Sequence, residues 1–394
     1  LSSGGARLLS GRPARPIVPE PALPSVAPFA CTFTREVPDL LHGLRCSLAL
    51  TTYQAGKVLL LSPDGEGLVQ LPRTFESPMG LAVAGGGPTL RMAVAAKADV
   101  TVLANAPTLA PAYPSKPGHY DALLVPRTTY YTGPLDLHDL AWGVDDAGRE
   151  ALWAANTTFS CLCRISERAS FEPAWSPAFV TALDPTDRCH LNGLAMERGR
   201  PRYVTALGAT DTPRGWSEGR RAGGVLVDVA SGATVLAGLP MPHSPRLFAG
   251  VLWALLSATG ELVRVDPAAG TYEVVARVGG FARGLARRGD YLFVGVSKLR
   301  KRHVFGDLPI AGQPIRAGVV IVHAPSGRVY GRVEFLASVE EVYDVQVLPE
   351  VGRPGIVGPQ QEAARRAVAL REGGYWVHPE PPSDAAPAPP AGEG

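Results

Sequence analysis

The chain has 394 residues, 46% of them hydrophobic, with 38 Lys and Arg against 36 Asp and Glu, for a formal net charge of +2. That composition supplies ample material for a large core, and closed all-β folds commonly run this long as one domain. A charge so near balance argues against nucleic acid or an anionic membrane surface as partner, and no apolar run approaches the roughly 20 residues that span a bilayer.

Residues 1–29 carry Arg, Pro, Ala, Ser and Gly without periodicity and are expected to form a disordered arm. The chain begins at Leu1 rather than Met, which leaves a removed leader open. Ordered structure is expected from about Cys31. Residues 47–52, 57–62 and 67–71 read as three strands, with a turn at Pro63-Asp64-Gly65. These strands lack an inner partner, and a strand at 342–347 lacks outer ones, because Pro349, Gly352, Pro354 and Gly355 follow it. The two halves are expected to join as one sheet, closing the chain's end onto its beginning and removing two exposed edges.

Between these halves one short segment recurs. Cys-His-Leu-Asn-Gly-Leu-Ala at 189–195 resembles residues 77–82, 136–141, 243–248, 281–286 and 342–347, each opening a new group of strands. Six copies predict an all-β, six-bladed β-propeller, with insertions mainly in blades two, three, four and six. The propeller is expected over 30–357. Residues 358–394 follow, with one short helix at 360–372 and a disordered Pro/Ala tail from Pro379.

Side chains two apart on a strand share a face. With the six copies in register, one column reads Met79, His138, Asn192, Pro245, Arg283 and Asp344, and the column before it Ser77, Asp136, His190, His243, Phe281 and Val342. Inner strands converge on a propeller's central channel, so His138, His190, Asn192, His243, Arg283, Asp136 and Asp344 are expected at one end of it.

Several readings of that cluster compete. His138, His190 and His243 with open positions would suit a divalent metal such as zinc, copper or iron. Alternatively one of these histidines is a general acid or base, while Arg283 holds a carboxylate or other anion. A third reading is a ligand- or protein-binding cup without chemistry, with Asn192, Arg246, Asp344 and Trp216 as contacts. The plainest is that the polar groups hydrogen-bond turns and neighbouring strands.

Other signals are weaker. Gly85-Gly-Gly87 lacks a Walker lysine and reads as a hairpin turn, and Asn156-Thr-Thr158 matches a glycosylation sequon. The basic run at 298–302, with His303 after it, is a solvated loop or an attractor for an anionic ligand. Trp142, Trp153 and Trp253 read as core. Five cysteines (Cys31, Cys46, Cys161, Cys163, Cys189) show neither disulfide nor zinc spacing. They read as buried reduced thiols, which favours a cytoplasmic setting.

The segments His138-Asp-Leu-Ala141, Phe159-Ser-Cys-Leu162, Arg188-Cys-His-Leu-Asn-Gly-Leu194 and Met241-Pro-His-Ser-Pro-Arg246 are similar to a family of bacterial conserved hypothetical proteins. So are Gly280-Phe-Ala-Arg-Gly-Leu285 and Asp344-Val-Gln-Val-Leu-Pro349. The resemblance spans about 30–357 and implies a propeller-like domain of unknown function. It departs at Leu255-Leu-Ser-Ala258, where the family's pattern implies a more polar run. A looser resemblance, to gluconolactonase and senescence-marker propellers, implies a channel ion held by Glu, Asn and Asp. Only Asn192 and Asp344 carry over to that shell, and histidines do not fit its oxygen-rich, calcium-type character.

These readings converge on a metal-assisted or His-driven enzyme acting on a small polar or sugar-like substrate, or else a non-catalytic ligand- or protein-binding propeller.

Overall fold

The computed structural model describes residues 26–299, 306 and 308–377. The arm at 1–25, the tail from residue 378 and most of the basic run, with His303, lie outside the described residues. Six antiparallel sheets of four strands form a ring, the six-bladed β-propeller read from the repeats. Blade 1 is ordered Asp344–Pro349, Cys46–Thr52, Lys57–Asp64, Gly67–Thr74 from the channel outward. Its inner strand comes from the chain's end and pairs with the first blade strand in the register Cys46↔Pro349 to Thr51↔Asp344. The remaining inner strands are Leu81–Ala84, Leu137–Val144, Leu191–Glu197, Pro242–Phe248 and Phe281–Arg288, for blades 2 to 6.

Each blade is covered on both faces, so its middle strands read as continuous apolar runs rather than alternating ones. In blade 1, Leu48, Leu50, Leu59 and Leu61 pack towards blade 6, while Ala49, Val58 and Leu60 pack towards blade 2. Trp153 and Trp253 are buried between blades, as expected of core residues.

Two elements cover blade edges, which removes unpaired backbone from water-exposed sheet rims. Cys31–Phe33 adds to the outer strand of blade 6, Arg328–Phe335, and Pro354–Ile356 pairs in parallel with the outer strand of blade 2, Ala122–Tyr131. A helix, Glu36–Gly43, buries Val37, Leu40 and Leu41, residues three and four apart. The sequence reading missed it because it is short and holds Pro38, although its first turn tolerates proline. The helix expected at 360–372 is cut to Glu362–Arg366 and followed by a ribbon, Ala367–Ala369 with Gly374–Trp376. Trp376 packs 5.5 Å from Tyr113 and donates to the Leu109 carbonyl at 3.2 Å, tertiary contacts that outweigh the weak helix tendency of so short a segment.

The inner strands alternate around the channel. In even blades a glycine is pressed against the next odd blade. A Cβ on Gly80 would lie 2.9 Å from Asp139 Cα, one on Gly193 2.4 Å from Pro245 Cδ, and one on Gly284 2.7 Å from Asp344 Cα. In odd blades a polar residue accepts a backbone N–H from the following even blade. Asp344 accepts from Leu81 at 2.9 Å, Asp139 from Leu194 at 3.0 Å and Ser244 from Gly284 at 2.9 Å.

Hydroxyls join the same seams. Thr51 donates to Met79 O, Thr157 to Leu191 O, Ser257 to Ala282 O and Ser297 to Val342 O, at 2.5 to 2.9 Å. Each lies near the end of the second strand of one blade or just past it, and reaches the inner strand of the next or the residues leading into it.

Candidate functional site

These contacts correct the predicted columns. Asp139, Ser244 and Asp344 occupy equivalent positions, so the residues before them, His138, His243 and Tyr343, share one position. Met79, Asn192 and Arg283 take it in the even blades. Pro245 and Asp344 were therefore placed wrongly, by two residues in blade 5 and one in blade 1. Blade 5 has a bulge between His243 and Arg246 beside Ser244, whose φ of 49° breaks the strict alternation. A one-residue slip moves a side chain to the opposite face.

A pocket of about 260 Å³ opens at this end of the channel, and Tyr53, Met79, Asp136, His138, His190, Leu207, Trp216, Met241, Arg283 and Tyr343 line it. Of the predicted site residues, His138, His190, Arg283 and Trp216 come together here. His243, Asn192, Arg246 and Asp344 do not line it.

His138 is fixed by its Nδ1. That nitrogen stands 2.9 Å from Asp136 O and 2.7 Å from Thr157 Oγ1. The Thr157 hydroxyl spends its proton on Leu191 O, so it must accept, and His138 Nδ1 carries the hydrogen. The lone pair is then on Nε2. His243 repeats the arrangement with Met241 O at 3.1 Å and Ser257 Oγ at 2.8 Å, the latter donating to Ala282 O. Burial first, then the charges of His190 and Arg283, hold His138 well below the ordinary imidazole range. Burial and Arg283 do the same to His243. Both rings are neutral acceptors at neutral pH.

His190 differs. Its Nδ1 lies 2.9 Å from Asp187 Oδ2, and the same oxygen accepts from Trp216 Nε1 at 3.0 Å. The indole packs on the imidazole with centroids 4.3 Å apart. Asp187 and His190 both have positive φ, 50° and 53°, so the loop holding this pair is conformationally constrained.

Arg283 stands between two rings, 4.7 Å from Tyr343 and 5.0 Å from Phe281, with one nitrogen 3.5 Å from Glu341. Tyr343 is 6% exposed and burial pushes its phenol well above its ordinary pKa. Its hydroxyl, His243 Nε2 and Arg283 Nε have no hydrogen-bond partner among the described residues.

Three predicted contacts, Arg246, Asp344 and Asn192, lie outside the pocket lining. Arg246 makes a two-nitrogen ion pair with Asp139 at 2.6 and 3.0 Å, and its second nitrogen lies 3.9 Å from Asp344. Burial raises Asp344 to about 7, against the pull of Arg246. Asn192 donates to Pro242 O at 3.1 Å and accepts from Thr205 at 2.7 Å, so its amide joins blades 4 and 5. The three-imidazole metal set is not assembled: His138 and His190 meet edge to face at 4.7 Å, while His243 packs on Phe281. No group of three or more His, Cys, Asp or Glu placed to hold a metal ion occurs among the described residues. Asn156, the sequon's asparagine, is fully buried, its side chain accepting from Phe159 N.

The sequence reading missed Asp187, Tyr343, Tyr53 and Asp139. Asp139 and Tyr343 were visible as neighbours of predicted residues but fell on the wrong strand face. No spacing rule marked Asp187, three residues before His190 on an irregular loop.

A family model described as "Domain of unknown function (DUF4915)" matches residues 35–357. The chain belongs to this family. Every residue lining the pocket falls within the family domain. No curated protein matched the chain. Among solved structures, similarity extends to a chain from a "Crystal structure of Nidogen/Laminin Complex", at 11% identity and a TM-score of 0.48, covering 77% of this chain and 99% of that one. It extends also to a protein of unknown function from Bacteroides caccae, at 8% identity and a TM-score of 0.46, covering 77% of this chain and 98% of the other.

Proposed function

We propose that this family domain is a His-driven enzyme acting by proton transfer on a small polar substrate in the channel-mouth pocket. The observation that carries the reading is the Asp187–His190 pair. A carboxylate on Nδ1 fixes the imidazole's orientation and tautomer and supports positive charge on the ring, leaving Nε2 to exchange a proton. His138, neutral and locked through Nδ1, offers a hydrogen-bond acceptor beside it, with ring centroids 4.7 Å apart. Arg283 supplies the pocket's guanidinium, and Trp216, Met79, Leu207 and Met241 supply apolar wall.

No helix among the described residues is long and apolar enough to cross a membrane. The five described cysteines are free thiols, which accords with a reducing compartment such as the cytoplasm.

The test is a turnover screen of small hydroxy acids, lactones and polyols, following proton release or uptake. General acid–base catalysis contributes about 100- to 10,000-fold, so His190→Ala should lower kcat by that order. Asp187→Asn, which removes the carboxylate that orients His190, should lower kcat as well. A turnover unaffected by His190→Ala would overturn the assignment. Compounds that bind without being turned over would identify a non-catalytic binding module instead.

A further inference from the structure

We propose that the pocket seats a small 2-hydroxycarboxylate, with its carboxylate on Arg283 and Tyr343 and its hydroxyl on His138. The inference rests on the proposed function only in taking the same pocket as the site.

Charge comes first. Among the described residues Arg283 is the one Lys or Arg lining the pocket, and Asp136 is the one carboxylate. Rings at 4.7 and 5.0 Å hold its guanidinium in place. Its contact with Glu341, through one nitrogen at 3.5 Å, is longer than the roughly 2.7–2.9 Å of a charge-assisted bond, so the planar fork is not saturated. Arg283 Nε and the Tyr343 hydroxyl are both buried without a hydrogen-bond partner among the described residues. Buried polar groups nearly always find partners, and two such donors on side chains that line one pocket favour an acceptor there, best an anionic one. Tyr343 stays protonated at neutral pH, and so remains a donor.

His138, whose ring packs edge to face on Tyr343 at 5.4 Å, sets the second requirement. His138 has its proton on Nδ1, fixed by Thr157, so Nε2 presents a lone pair. A ligand that is only an anion would face that lone pair unfavourably. One that also carries a hydroxyl donates to it. With carboxylate and hydroxyl on adjacent carbons, one small molecule meets both requirements.

A volume of about 260 Å³ accommodates a small acid of this kind. Met79, Leu207 and Met241 leave room for a short apolar substituent.

The experiment is isothermal titration of the full chain at neutral pH with 2-hydroxybutyrate, 2-hydroxybutyramide and butyrate. The hydroxycarboxylate should bind about 10-fold or more tighter than either the amide or the unsubstituted acid, the scale of one lost charged or neutral hydrogen bond. Arg283→Gln should weaken it about 10- to 100-fold and Tyr343→Phe about 5- to 10-fold. An amide that binds as well as the acid overturns the proposal, as does failure of all three to bind at about 10 mM. The comparison among ligands uses the unaltered protein, so it stands even if Arg283→Gln does not fold. If this binding pattern holds while His190→Ala keeps full turnover, the proton-transfer reading fails and the seat remains. If the acid and amide bind alike while His190→Ala abolishes turnover, the seat fails and the proton-transfer reading remains.

Discussion

His138 and His243 are held by the same two-part device, a carbonyl two residues back and a hydroxyl that is itself committed to the next blade. The device makes the propeller sensitive to acid. In the unfolded chain each imidazole takes a proton near pH 6.5, whereas in the folded one both stay neutral to well below that. Folding therefore releases protons as pH falls below about 6.5, and stability drops with a slope of at most about 1.4 kcal/mol per pH unit for each ring. Urea titrations at about pH 7.5 and pH 5 should show this loss, and His138→Gln with His243→Gln should flatten it. Equal slopes in the two proteins would mean that neither histidine is held neutral. Asp344 runs the opposite way. Its raised pKa favours the folded state at low pH, an advantage lost as pH rises towards about 7.

At the scale of the element, the inner strands depend on contact between backbones. Gly284 has a φ of 74°, and a Cβ there would stand 2.4 Å from Val345 N, an atom of another blade that cannot swing aside. Gly284→Ala should therefore cost about 2–4 kcal/mol, combining strained φ with overpacking. Ser257→Ala, which removes the hydroxyl latch to Ala282 without a clash, should cost only about 1–2 kcal/mol. Chemical denaturation of the two variants compares them directly, and a Gly284→Ala protein as stable as the parent would contradict the close packing of blades 6 and 1. The Cys-His-Leu-Asn-Gly-Leu-Ala segment was legible as a repeat because of these glycines and the apolar residues after them. Its polar column was only partly legible. The bulge in blade 5 and the one-residue offset in blade 1 change which side chain faces the channel without changing the apolar pattern.

For the whole molecule, stability turns on closure. Blade 1 takes its inner strand from residues just over 300 positions beyond its partner, in the pair Cys46↔Pro349. Ending the chain after Glu341 would expose the edge of Cys46–Thr52 and remove the buried Val345, Val347 and Leu348. Large buried aliphatic side chains contribute roughly 1.5–3 kcal/mol each, so a domain of ordinary stability should not survive the loss. Ending it after Val357 removes only the short helix and ribbon, and the cooperative melt followed by circular dichroism should persist with a lowered Tm. A cooperative melt in the shorter protein would show that the ring holds without its closing strand.

The sequence by itself determined the architecture. Six copies of one inner strand, turn residues between apolar runs, and two half-sheets at opposite ends allow one economical closure, because unpaired edges and uncovered apolar faces are costly. It also brought His138, His190, Arg283 and Trp216 to one pocket. What only the tertiary structure decided is how each polar group is used. Asn192 joins two blades, Arg246 pairs with Asp139 within the channel, and Tyr343 rather than Asp344 faces the pocket. Those outcomes depend on bulges, positive φ angles and contacts between blades far apart in the chain. Their energies are set by distances of a few ångströms, to which residue type and spacing are blind.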